Sequence, residues 1–172
     1  MTKLLVTYGL HKNEYEITKP VGEGLSKEKI PSTKVFDLRH NKKINNIFTR
    51  NSPSIVVDIH ASDGFVPEDW KEDGVKDMVS FLTEDKKSRK IFEKYIFSNK
   101  PSALGVIGCV VGPMEVAPDK WTRGVNLVDK LCLKMDIPYT AVELSRENKN
   151  DDVVRYLSGA LNLLVDSYGC KI

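Results

Sequence analysis

The chain has 172 residues, of which 41% are hydrophobic and 29% charged, a composition that favours one globular, soluble domain with its own core. Lys and Arg number 26 against 24 Asp and Glu, and the resulting net charge of +2 gives no electrostatic reason to expect nucleic acid or a membrane surface as a partner. No apolar run has the length of a transmembrane helix and the N-terminus carries no signal-peptide pattern, so we expect a cytoplasmic protein.

The first half of the chain contains three short apolar runs rich in β-branched residues. They predict strands at Lys3–Tyr8, Lys34–Leu38 and Ser54–Ile59, and the third has a continuous apolar middle typical of a strand buried on both faces. The segment Thr18–Thr33 holds two prolines and two glycines, which predict an irregular segment with an ordinary turn. Ile44–Asn51 predicts a helical turn with one apolar face.

In the second half, strand-like and helical patterns alternate. Helical periodicity is read at Gly74–Lys100, Trp121–Met135 and Val153–Tyr168, and buried strands at Ala103–Val111 and Tyr139–Leu144. Such alternation predicts an α/β fold, with three α/β/α layers around a mixed, largely parallel sheet. We expect residues 1–172 to form a single domain.

Two of the three histidines stand at the ends of predicted strands. His11 follows the first strand, with Glu14 three residues later, and His60 ends the strand that begins at Ser54. The carboxyl ends of parallel strands meet at one edge of the sheet, so these side chains are expected to converge. Two imidazoles and a carboxylate are a zinc ligand set that leaves a fourth position for water. The pattern predicts a zinc hydrolase, although an exposed loop pair without metal would give the same local sequence.

Two further carboxyl groups are placed to assist that site. Asp58 shares one side of its strand with His60, where it would either orient the histidine or serve as a buried structural carboxylate. Glu143 lies near the end of its strand and is the candidate general acid/base. Glu115, which also follows an apolar strand, competes for this role, and Glu143 would otherwise form a salt bridge with Arg146 or Lys149.

An arginine is the expected partner of a substrate carboxylate or a developing oxyanion. Arg39 is the first choice because it follows a short apolar run and precedes the strand of His60. Arg50, Arg123 and Arg146 are alternatives, whereas His40 stands among polar and basic residues and is expected at the surface.

These residues resemble the motifs of a known group, the zinc carboxypeptidases and their succinylglutamate desuccinylase and aspartoacylase relatives. The matching segments are Tyr8–Glu14, which resembles the G-x-H-G-x-E signature, Asp37–Asn41, which resembles the substrate-binding D-L-N-R segment, Val56–Ser62, which resembles the D-[LI]-H segment, and Ala141–Leu144, which resembles the strand of the catalytic glutamate. The resemblance implies that His11, Glu14 and His60 bind zinc, that Glu143 is the general acid/base, and that Arg39 binds the carboxylate or oxyanion.

The sequence is compatible with three functions. The first is a zinc-dependent hydrolase of an amide or peptide bond in a small, carboxylate-bearing substrate. The second is a non-catalytic binding or regulatory domain that retains the fold, which the short chain and the sequence around Arg39 would suit. The third, a cysteine hydrolase using Cys109, ranks last because this cysteine lies in an apolar run with no activating group nearby. The three cysteines are widely spaced without a CxxC pair, which argues against a cysteine zinc site or a disulfide framework, and Cys109 and Cys132 are expected as core thiols.

Overall fold

The computed structural model describes residues 3–40, 43–62, 77–99, 107–112, 124, 126–145 and 151–169. Its strands are β1 (Leu4–Tyr8), β2 (Thr33–Asp37), β3 (Ile55–Ser62), β4 (Asp77–Thr83), β5 (Ile107–Gly112) and β6 (Tyr139–Ser145). Its helices are α1 (Tyr15–Lys27), α2 (Ile44–Asn51), α3 (Lys86–Ser98), α4 (Leu127–Met135) and α5 (Asp151–Gly169). Within these ranges, no helix is both long enough and apolar enough to cross a membrane.

The described strands form one six-stranded sheet in the order β2-β1-β3-β6-β4-β5. The four strands β2, β1, β3 and β6 are parallel to one another, and β4 is parallel to β5 but antiparallel to β6. The predicted mixed, largely parallel sheet is therefore confirmed. Because four neighbouring strands point the same way, the residues that follow β1, β2, β3 and β6 meet at one edge.

Helices cover both faces of the sheet, which confirms the predicted three-layer α/β/α architecture. Alternate residues of β1 face opposite layers: Leu4 and Val6 pack in one apolar cluster with residues of α1, α3 and α5, and Leu5 packs in the other with residues of α2 and α4. Both clusters consist of buried residues, and the described side chains of β1, β3 and β6 are buried throughout. The continuous apolar run in β3 thus reflects burial on two faces, as expected of a central strand.

The prediction of an irregular segment at Thr18–Thr33 is wrong over most of its length, because α1 continues to Lys27. Close packing accounts for its glycines. A Cβ atom on Gly22 would lie 2.3 Å from Cδ1 of Tyr8, and one on Gly24 would lie 2.8 Å from Cγ2 of Val154. These glycines let the helix approach the sheet and α5, so they serve packing inside a helix where the sequence suggested a turn.

The helix predicted from Gly74 onward is also wrong in its first part, which forms strand β4. Val79 and Leu82 are fully buried in clusters on opposite sides of the sheet, and β4 lies between β6 and β5. A strand buried on both faces shows no alternation, so its apolar residues happened to match helical spacing. The second part of the prediction is confirmed by α3, which begins after Asp85.

The remaining predicted elements are confirmed where they are described. The predicted helices at Ile44–Asn51 and Val153–Tyr168 correspond to α2 and α5. The strand predicted at Ala103–Val111 is confirmed for β5, and the helix predicted at Trp121–Met135 is confirmed for α4. That helix begins later than predicted, because Gly124 lies in a turn with φ +81° and Asn126 is the extended N-cap. Residues 103–106, 121–123 and 125 lie outside the described residues. Cys132 is a buried free thiol on α4, as expected of a core cysteine.

Candidate metal centre

The loop after β1 places His11 and Glu14 together. Gly9 turns the chain with φ +78°, and a Cβ atom there would lie 2.9 Å from Cδ2 of Tyr15. The backbone N–H of Glu14 donates a hydrogen bond to the carbonyl of His11 (3.2 Å), which closes a turn directly before α1. The spacing of three residues thus brings both side chains to one side, as a helical turn does.

His60 reaches the same place from β3. The last residue of β1, Tyr8, is paired with Ile59, so His60 extends one position beyond the end of β1 and faces the loop that follows it. One donor atom from each of His11, Glu14 and His60 can be chosen so that all three lie within 4.8 Å of one another. Nδ1 of His60 is 3.1 Å from Oε2 of Glu14, and the His11 and His60 ring centroids are 5.3 Å apart.

This donor set fits a zinc ion. At zinc–ligand distances of about 2.1 Å, two donors of a tetrahedral site lie about 3.4 Å apart. The 3.1 Å separation of the His60 and Glu14 atoms matches that value, and the 4.8 Å limit for the whole set requires a shift of only about 1.4 Å. His11 is exposed and can make that shift, whereas the buried His60 is held in place.

A buried polar network holds His60. Its Nε2 lies 2.8 Å from Oδ2 of Asp58, and the other carboxylate oxygen accepts a hydrogen bond from Oγ1 of Thr7 (2.6 Å). Asp58 is completely buried, and it lies beneath His60 as the strand alternation predicts. When Nε2–H donates to Asp58, Nδ1 presents its lone pair toward Glu14, which is the tautomer that a metal ligand needs.

Two residues that the sequence did not identify extend this network. The hydroxyl of Tyr139 donates to Oδ2 of Asp58 at 3.5 Å, and Nδ2 of Asn126 donates to that hydroxyl at 3.0 Å. Asn126 is also the N-cap of α4, where its side chain accepts a hydrogen bond from the backbone N–H of Asp129 (2.8 Å). An asparagine directly before an apolar helical run, with an acidic residue at the third helical position, was the available signal for this cap.

The electrostatic field at His60 favours positive charge. Burial by itself lowers the pKa of His60, but the charge and hydrogen bond of Asp58, the hydrogen bond of Glu14 and the charge of Glu143 outweigh it, so the pKa lies well above 6.5. Carboxylates that stabilise a proton on an imidazole also stabilise a metal cation in the same place.

Glu143 lies beside His60 on the neighbouring strand. The two residues are partners in the parallel register of β3 and β6, so their side chains project from the same face of the sheet. Glu143 is 4% exposed and is also paired with Ser80 of β4. The register therefore puts Glu143 beside His60, and its charge acts on that imidazole.

Arg39 follows β2, and its side chain contacts the two residues that come directly after Glu14. Its guanidinium carbon is 4.3 Å from the ring centroid of Tyr15, the residue after Glu14, and its Nη1 is 4.0 Å from Oε1 of Glu16. Its backbone N–H donates to Oδ1 of Asp37 (2.9 Å). The side chain is 40% exposed, so it remains accessible to a ligand at this edge of the sheet.

The structure places some of the alternative candidates. His40 is 72% exposed, in agreement with its predicted surface position. Glu115, Arg123 and Arg146 lie outside the described residues, and of Cys109 only the backbone within β5 is described. Arg50 lies on α2.

Comparisons with known proteins show the fold of the chain but not its family. No protein-family model and no curated protein sequence matches it. Among solved structures, it resembles the catalytic domain of CwlV, an N-acetylmuramoyl-L-alanine amidase from Bacillus (Paenibacillus) polymyxa var. colistinus, with a TM-score of 0.54, 10% identity, and coverage of 98% of this chain and 99% of that chain. It also resembles a mutant (E192D) pyrrolidone carboxyl peptidase from Pyrococcus furiosus, with a TM-score of 0.50, 11% identity and 98% of each chain covered. At such identities the likeness establishes a shared α/β fold, and it leaves chemistry to be argued from the residues themselves.

Proposed function

We propose that this chain is a zinc-dependent hydrolase that cleaves an amide or peptide bond in a small substrate bearing a carboxylate. The observation that carries the proposal is the convergence of His11, Glu14 and His60 on a common point, with donor atoms within 4.8 Å. The resemblance of their segments to the zinc carboxypeptidase and aspartoacylase motifs supports it. So does the fold, which two enzymes named for amide-bond cleavage, an amidase and a carboxyl peptidase, share.

In this proposal the three side chains hold the metal and the neighbouring residues move protons and bind the substrate. When bound, zinc supplies Lewis-acid chemistry, making a water molecule acidic near neutral pH and polarising a carbonyl group. Glu143 takes the proton from the attacking water and delivers it to the leaving nitrogen, which its position beside His60 allows. Asp58 keeps His60 in the tautomer with a free Nδ1.

Arg39 is assigned to the substrate carboxylate. A guanidinium stacked on an aromatic ring is held in a defined orientation, and its planar donors match a carboxylate. Arg39 follows β2, which is parallel to β1, so it lies at the same edge of the sheet as Glu14. The proposal includes all of residues 1–172 in one zinc-hydrolase-like domain.

The test combines metal analysis with turnover. Protein purified without chelator should contain one zinc per chain, and His11→Ala should lose it without unfolding because His11 is exposed. The matched control is His40→Ala, which removes another exposed histidine and should bind zinc as the wild type does. A screen of N-acyl amino acids and short peptides should reveal hydrolysis that Glu143→Gln reduces by about a hundredfold or more.

The outcomes separate the alternatives. Absence of zinc from the wild type, together with equal metal binding by His11→Ala and His40→Ala, would exclude the metal centre. Stoichiometric zinc with no turnover across the substrate panel would favour the non-catalytic binding domain, for which the metal is structural. Turnover that survives metal removal and is stopped by thiol alkylation would favour the cysteine hydrolase.

A further inference from the structure

A groove of about 800 Å³ lies between α2 and the edge strand β2. Five basic side chains line it, Lys34, Arg39, His40, Lys43 and Arg50, and we call it the basic groove. Its apolar lining is Phe36 and Ile47, and none of the described residues that line it is acidic. The volume is in the range of sites for small molecules.

The ammonium group of Lys34, a residue of β2, is held by a hydrogen bond. Nζ of Lys34 donates a hydrogen bond to Oδ1 of Asn51 (2.8 Å) at the end of α2. Asn51 is 8% exposed, and its Nδ2 donates to the carbonyl of Ile47 (2.7 Å). A neutral amide thus orients the ammonium group without placing a negative charge beside it.

Among the described residues, the basic side chains of the groove that have an acidic neighbour are Arg39 and His40. In the described part of the chain, no carboxylate lies within 4.0 Å of the charged atoms of Lys34, Lys43 or Arg50. Arg39 reaches Glu16 only at 4.0 Å, and His40 reaches Asp37 at 3.8 Å. The whole chain has a net charge of only +2, so this concentration of cations is local to the groove.

We propose that the basic groove binds a small ligand carrying two or more anionic groups, either carboxylates or phosphates. Lys34 lies on β2 and Arg50 on α2, the two elements that border the groove, so a ligand with more than one anionic group can contact cations from both elements. Phe36 and Ile47 provide apolar contact for a carbon skeleton between the charges. The basic groove shares Arg39 with the substrate site of the proposed hydrolase but contains none of the three candidate metal ligands, so binding there requires neither zinc nor hydrolysis.

The proposal is tested by calorimetry on metal-free protein, because citrate and tripolyphosphate would chelate zinc. The salt concentration is about 0.15 M, which screens weak attraction between distant charges. Citrate probes carboxylates, tripolyphosphate probes phosphates, and acetate is the singly charged comparison. At least one multiply charged anion should bind with one site per chain, and acetate should not. The double variant Lys43→Gln/Arg50→Gln should weaken that binding about tenfold, since two exposed charge contacts are lost.

The control is Lys90→Gln/Lys94→Gln, which removes the same charge from the exposed surface of α3 and should leave binding unchanged. Both double variants change exposed side chains, and urea unfolding checks that each remains folded. Equal weakening in the two variants would show that the anion responds to net charge alone and would overturn the proposal. Failure of both citrate and tripolyphosphate to bind would overturn it as well, whether or not the chain binds zinc.

Discussion

Replacing Asp58 by Asn tests how the fold prepares His60 for a metal. The substitution removes one negative charge 2.8 Å from Nε2 of His60 and changes the side-chain volume little. The amide oxygen can accept the hydrogen bond from His60, and the amide N–H₂ can donate to Oγ1 of Thr7, which now donates to the carboxylate. Both contacts can therefore persist, and what disappears is the charge that makes Nδ1 more basic.

We expect zinc to bind to Asp58→Asn about 10- to 100-fold more weakly, which corresponds to about 1.4–2.8 kcal/mol of binding free energy. The upper part of this range applies because Asp58 is fully buried, where no water weakens its effect on His60. The assay is zinc titration in competition with a chromophoric chelator, and the stoichiometry should remain one per chain.

Two variants make the result specific. Asp152→Asn removes a carboxylate from the first turn of α5, where it pairs with Arg155, and should leave zinc affinity unchanged. Thr7→Val removes a hydrogen bond to Asp58 but keeps the charge, so it should weaken zinc binding less than Asp58→Asn. Zinc affinity of Asp58→Asn within twofold of the wild type, in a protein that still needs His60 to bind zinc, would refute the reasoning.

Two further predictions concern the fold. Gly22→Ala should destabilise the protein by about 1–3 kcal/mol in urea unfolding, because the added Cβ would lie 2.3 Å from the Tyr8 ring; an unchanged stability would mean that the ring can move aside at no cost. Burial alone raises the pKa of Asp85, but hydrogen bonds from Tyr168 and Ser88 outweigh it and hold this pKa below the usual value of 3.8. The ionised carboxylate therefore stabilises the fold above pH 3.8, and this contribution is lost as the pH falls through the lowered pKa. Thermal unfolding should therefore show that the advantage of the wild type over Asp85→Asn at pH 7 shrinks below about pH 4, and a constant difference would contradict the assignment.

The strands of the central sheet could be predicted because burial on two faces leaves a direct mark on the sequence. Ile55–Ser62 opens with the continuous apolar run Ile55–Val57, and Tyr139–Ser145 has apolar or aromatic residues at four of its seven positions. The same property misled the prediction at Asp77–Thr83, since a strand without alternation carries no period of two. The helix Tyr15–Lys27 was missed because its glycines serve close contacts with Tyr8 and Val154, which only the folded chain reveals.

The candidate site could be predicted to the extent that it depends on strand ends and short spacing. His11 and Glu14 share a turn, and the position of His60 at the end of its strand places it near them. The alternation of side chains within that strand places Asp58 on the same face as His60. Contacts between distant segments could not be predicted in this way. Asn126 lies 66 residues from His60, and its position near Nε2 of that ring (3.5 Å) depends on how α4 packs on the sheet.

The charge around His60 gives a reason to expect a cation in this place that does not depend on any motif. The carboxyl groups of Asp58, Glu14 and Glu143 all act on one buried imidazole, and each favours its positive form. Gathering carboxylates in a buried site costs free energy of folding unless positive charge compensates it. A proton on His60 supplies one positive charge and uses the Nδ1 lone pair, whereas a divalent cation supplies two and leaves Nε2–H bonded to Asp58. Because three carboxyl groups act on a single imidazole, a divalent cation on the proposed ligands would compensate the site more completely than a proton does.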